Sequence, residues 1–164
     1  MEQHEYRLPY SVFDSRAELP GPEGWLLEEA GQYAMRAYAP YSDFQVGAAA
    51  RLRNGKIVGG SNQENVSFPA GLCAERVLLS AISSIYPGVA IEIIAITYRY
   101  PKGKSDHPVF PCGICRQSLQ EYEQALQSPI RLLLAGASGQ VCLIEQAGWL
   151  LPFGFGAAEL RRGR

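Results

Sequence analysis

The chain has 164 residues, 47% hydrophobic and 19% charged, enough for one domain around a single core that buries about 70% of the surface the unfolded chain would expose. A formal charge of −1 gives no basic footprint for nucleic acid, so the expected partner is a small molecule. No run reaches the roughly 18 apolar residues of a membrane span, and Met1 to Glu18 mixes charges and Pro9 into its apolar residues, unlike an export signal.

Residues 1–22 read as an N-terminal arm and 23–164 as a single catalytic domain. In the arm, Tyr6, Leu8, Tyr10, Val12 and Phe13 are interleaved with polar residues before Pro20-Gly21-Pro22. That pattern predicts an ordered arm with an edge strand within Tyr6 to Phe13, because so many aromatic side chains are costly to leave in water. From Glu23 to Tyr38 the apolar residues recur at helical spacing until Ala39-Pro40 ends the run. Tyr41 to Phe44 is a loop. Gln45 to Arg53 and Lys56 to Gly60 flank Asn54-Gly55 and predict a hairpin. Ser61 to Leu72, rich in Asn, Ser, Gly and Pro, is too long for a plain connector and reads as a binding loop.

Cys73 to Ile85 predicts a second helix that stops before Pro87-Gly88. Ile91 to Tyr98 is a nearly continuous β-branched run, the pattern of a central strand covered on both faces. After the polar loop Pro101 to Pro111, a third helix runs from Cys112 to Leu126. Ile130 to Ala135 and Gln140 to Ile144 predict an antiparallel hairpin around Gly136 to Gly139, and a short polar helix closes the chain. Together these elements predict an α/β fold, a three-layer α/β/α sandwich around a mixed five-stranded sheet.

The chemistry gathers at two helix starts. Without an export signal, the expected location is cytoplasmic, where four cysteines are thiols or metal ligands rather than disulfides. Cys112 and Cys115 open one predicted helix and Cys73 opens another, places where the helix dipole and free amides favour thiolate. A redox pair explains Cys112 and Cys115 but leaves Cys73 and Glu75 without a role. A structural zinc site needs a fourth ligand. Cys142, in an apolar strand, reads as a small buried hydrophobe, and His4 and His107 fall in solvated segments. Three thiolates around one zinc leave a position open, zinc makes water acidic near pH 7, and Glu75, two residues from Cys73, can move its proton. Arg76 would offset the excess negative charge of three thiolates around a dication. The bland alternatives are a helix-start glutamate favouring the dipole and a surface arginine.

These residues resemble the zinc-dependent cytidine deaminases, in particular the small three-cysteine class that forms homotetramers. The resemblance rests on Tyr38-Ala39-Pro40-Tyr41-Ser42-Asp43-Phe44, Val46-Gly47-Ala48-Ala49, Asn62-Gln63-Glu64-Asn65, Cys73-Ala74-Glu75-Arg76, Pro111 to Gln117, and Leu150-Leu151-Pro152 with Phe155. It implies one Zn2+ per chain on Cys73, Cys112 and Cys115, Glu75 as proton shuttle, and hydrolytic deamination of cytidine and 2'-deoxycytidine in pyrimidine salvage. It further implies sugar contacts from Asn62 and Glu64, a base wall at Phe44, contacts to the base from the Ala74 amide and Pro111 carbonyl, and Phe155 contributed by a neighbouring subunit. Phe68 departs from the family, which often has tyrosine there. The alternatives at this point are a deaminase of a cytosine-containing antibiotic, an enzyme editing polynucleotide cytosine, a non-catalytic structural-zinc module and a redox dithiol protein.

Overall fold

In the computed structural model, which describes residues 1–161, the β-branched run forms β4, Ile91–Arg99, within one mixed sheet. On one side β4 pairs antiparallel with β2, Gln45–Leu52, which pairs in turn with β3, Ile57–Ser61. On its other side β4 pairs parallel with β5, Arg131–Ala135, and β5 pairs antiparallel with β6, Val141–Ile144. The outermost strand is β1, Ser11–Phe13, antiparallel to β6 in the register Ser11 with Leu143 and Phe13 with Val141. The sheet order is β1-β6-β5-β4-β2-β3. Six strands therefore replace the predicted five. The arm supplies the sixth because β6 offers it an unpaired edge, and Tyr6 fixes the approach by donating its hydroxyl to the Trp149 carbonyl at 2.6 Å.

The helices are α1, Glu23–Ala34; α2, Ala74–Ile85; α3, Gly113–Leu126; and the short α4, Ala157–Arg161. The period-2 pattern of the strands sends alternate residues to opposite faces. Ala48, Ala50, Ile94, Ile96, Leu132 and Leu134 meet Leu78, Ile82 and Leu119 of α2 and α3. Ala49, Ile93, Ala95 and Leu133 meet Leu26, Leu27 and Ala30 of α1. The result is the expected three-layer sandwich. The predicted first helix stops short of Tyr38 because that residue is taken up elsewhere: its amide donates to the Asn62 carbonyl, and its own carbonyl accepts from the Glu64 amide. The predicted domain limit at residue 164 falls outside the described residues. Among those described, no helix is long and apolar enough to cross a membrane.

Candidate active site

The predicted helices at the cysteines begin one residue later than their periodicity suggests. Cys73 and Cys112 are N-cap residues in extended conformation, at φ −71°, ψ 153° and φ −67°, ψ 169°, and neither sulfur makes a capping hydrogen bond. Each sulfur is thus left free to serve as a ligand. Cys115, one turn into α3, is buried. The Tyr122 hydroxyl joins the two helices by donating to the Leu79 carbonyl at 2.8 Å. Underneath, α2 lies so close on β3 that a Cβ at Gly60 would stand 2.6 Å from the Leu78 nitrogen and 2.9 Å from the Ala74 oxygen.

The sulfurs of Cys73, Cys112 and Cys115 all lie within 4.8 Å of one another, at 3.7 Å between Cys73 and Cys112 and 3.5 Å between Cys112 and Cys115. Tetrahedral ligands at the usual Zn–S length of about 2.3 Å sit about 3.8 Å apart. The donor set therefore fits zinc in both chemistry and spacing. The thiols also partition charge: Cys73 is lowered to about 6, chiefly by Cys115, with Cys112 and the Arg76 charge adding to that against burial. Cys115 is pushed upward by its interaction with Cys73, by burial and by the Glu75 charge. Cys142 lies in β6, packed in the core and outside the cluster.

Glu75 projects from the first turn of α2 and is 5% exposed. Burial pushes its carboxyl up from the usual range, and the nearby Cys73 charge adds to the rise. A carboxyl so placed holds a proton more readily than one in water, which suits a group that must both accept and return one. Arg76 is half-buried and acts on Cys73 through its charge.

A pocket of about 460 Å³ opens over this cluster, and Phe44, Asn62, Glu64, Ala74, Glu75 and the thiols Cys73 and Cys112 line it. Phe44 stacks on Tyr98 with centroids 4.8 Å apart and planes at 21°. Two further residues expected at the site, Pro111 through its carbonyl and Phe155 in the site of a neighbouring copy, do not line the pocket of their own chain. Pro111 is buried and absent from the lining, although its neighbours Phe110 and Cys112 belong to it, and its carbonyl accepts from Arg116 Nε at 2.8 Å. Phe155 is also absent from the lining and is 57% exposed, its carbonyl held by Gln117 Nε2 at 2.8 Å. Phe68 does line the pocket at 77% exposure, edge-on to Tyr41. Sequence reasoning missed the apolar lining from Val46, Ile96 and Val109, whose pattern is that of any strand or loop. It missed Arg116 as well, though its place directly after Cys115 was a usable signal.

A family model described as the cytidine and deoxycytidylate deaminase zinc-binding region matches residues 22–126. A cytidine deaminase from Mycobacterium tuberculosis is 36% identical over 142 residues, 85% of this chain and 93% of that protein. One from Halalkalibacterium halodurans is 37% identical over 140 residues, 82% of this chain and 95% of that protein. Among solved structures, cytidine deaminase from Burkholderia pseudomallei superposes with a TM-score of 0.68 at 38% identity, covering 80% of this chain and 97% of its own.

Proposed function

We propose, for a chain that belongs to the family of zinc-binding cytidine and deoxycytidylate deaminases, the hydrolytic deamination of cytidine and 2'-deoxycytidine to the corresponding uridines with release of ammonia. The observation that carries this reading is the three-thiol cluster facing a pocket whose inner wall holds the buried Glu75. The pocket also has no lysine or arginine in its lining and two carboxyl residues, Glu64 and Glu75, which favours an uncharged nucleoside over a phosphorylated one.

Cys73, Cys112 and Cys115 would hold one zinc, which when bound supplies the Lewis acidity that makes water acidic near neutral pH. Glu75 then takes a proton from the attacking water and gives it to the ring nitrogen of the base. It next takes the proton of the hydroxyl left on the ring carbon and passes it to the amine, which departs as ammonia while that carbon becomes a carbonyl. The burial of Glu75 excludes bulk water from this exchange. Phe44 would cover one face of the base, and Asn62 and Glu64 would meet the sugar. The Ala74 amide would meet the base from the start of α2. The Pro111 carbonyl, already an acceptor for Arg116, retains a second lone pair for the amine.

The chain would work in the cytoplasm, a setting that suits four unpaired thiols, as a homotetramer in which Phe155 of one copy completes the site of the next. Exposed Phe68, Phe110, Ile114 and Phe153 support that assembly. The purified protein should carry about one zinc per chain, lose cytidine absorbance on incubation, and sediment as a tetramer. Zinc-loaded protein inert toward both nucleosides would overturn the reaction; a monomer with full turnover would overturn the assembly.

A further inference from the structure

Asn62 and Glu64 are engaged within the chain before any nucleoside arrives. Glu64 Oε2 accepts the amides of Tyr41 at 2.8 Å and Ser42 at 3.3 Å, and its Oε1 accepts the Ser42 hydroxyl at 2.5 Å. The Ser42 hydroxyl has one proton, and it donates that proton's hydrogen bond to Glu64. The oxygen's lone pairs are then free for the Phe44 amide, which donates to Ser42 Oγ at 3.0 Å. Asn62 closes the other side: its Nδ2 donates to the Phe44 carbonyl at 2.9 Å, and its Oδ1 accepts the Val46 amide at 2.7 Å.

The segment so held carries some backbone strain. Asp43 sits between Ser42 and Phe44 at φ 58°, a left-handed conformation that is uncommon for a residue with a Cβ, although aspartate reaches it more readily than most. An ion pair from Lys102 reaches Asp43 from outside, and the Phe44 ring rests on buried Tyr98. The ring that walls the pocket therefore depends on a strained turn, and a two-sided clamp fixes both sides of that turn.

Resting on the nucleoside reading above, the geometry points to Ser42 as a positioning residue that couples Glu64 to the Phe44 wall. Glu64 orients the Ser42 hydroxyl, the hydroxyl holds the Phe44 amide, and the ring is set at the angle that a planar base requires. Ser42 itself lines the pocket, but its hydroxyl proton is engaged by Glu64 and its oxygen by the Phe44 amide, so it sets substrate affinity chiefly through Phe44.

The test is a double-mutant cycle on the zinc-loaded full chain, with cytidine as substrate. One hydrogen bond of ordinary net strength corresponds to about tenfold in affinity, so Ser42→Ala should raise KM about tenfold. Zinc content and kcat should stay within about twofold, because neither the thiols nor Glu75 is touched. Ser42→Thr, which keeps the hydroxyl, should restore most of the lost affinity. In a Phe44→Ala background, Ser42→Ala should change KM by less than about twofold, since residues acting through one another are non-additive. A full tenfold effect in that background would overturn the proposal by showing that Ser42 acts directly, and an unchanged KM in the single variant would overturn it too. A wild-type chain without turnover counts against the proposed reaction instead. In that case the same cycle is read from cytidine Kd by calorimetry, with the same outcomes deciding.

Discussion

At the inner end of the pocket Ala74 and Glu75 are buried, Cys115 is buried behind the lining, and the close approach of α2 to β3 admits only glycine at position 60. At the outer end Tyr41, Phe68 and Phe110 are exposed, and the Tyr41-to-Phe44 turn is held by side-chain hydrogen bonds around a strained Asp43. The floor is thus placed by backbone packing, and the rim by polar contacts that solvent can contest. Proton transfer fails when groups shift by an ångström, whereas a wall for a planar ring tolerates small displacement at a cost in affinity. Rigid packing lies where the first demand is made.

The sharpest break in this comparison is Glu75→Gln. The amide fits the same buried place but exchanges no proton, so kcat should fall on the order of 100- to 10,000-fold, while zinc and fold persist. Turnover of cytidine and bound zinc, measured on one sample, check it, and an active variant would remove Glu75 from its role. Next comes Gly60→Ala. Its methyl would meet the backbone of α2 at Leu78 and Ala74, and overpacking of this kind costs about 1–3 kcal/mol. Displacing the helix start should also lower zinc occupancy, read together with Tm. Normal occupancy would mean that the floor is less rigid than its packing implies.

Much of the floor was legible in the sequence because it is local. Cys73, Glu75, Cys112 and Cys115 lie at the starts of strongly periodic helices, and the β-branched run from Ile91 to Tyr98 announced the strand Ile91–Arg99 that carries the sheet. What stayed hidden depends on residues far apart in the chain. The pairing of Ser11–Phe13 with β6 joins residues some 130 positions apart. Glu123 is a helix-face glutamate in the sequence, yet it is buried and accepts the amides of Ile130 at 2.7 Å, Ala147 at 3.0 Å and Gly148 at 2.9 Å. A carboxylate with three backbone donors is a structural clasp, and no local pattern distinguishes it from a solvated one. The clamp was hidden differently. Asn62 and Glu64 stood out as polar loop residues, but their hold on Phe44 depends on a turn whose left-handed residue is an ordinary aspartate.

Cys142 gives a control for the floor. Its thiol packs within the core and outside the cluster, so Cys142→Ala should cost about 1 kcal/mol of stability and leave zinc at its wild-type level. Loss of the metal would instead place four sulfurs around it and close the position that the reaction needs.

Phe68→Ala carries the smallest expected effect and bears most directly on the rim. With 77% of its surface exposed, Phe68 contributes little to the fold of its own chain, and truncation should change folding stability by no more than about 0.5 kcal/mol. KM should still rise a few-fold, because the ring lines the pocket. If the chain forms the proposed tetramer and a neighbouring copy packs on this ring, the variant's assembly should dissociate at a higher protein concentration than wild type, a shift that sedimentation at falling concentration detects. A fall in Tm as large as that of Gly60→Ala, independent of concentration, would mean that the rim is built into the fold as firmly as the floor. The division between packed chemistry and adaptable binding would then not hold for this pocket.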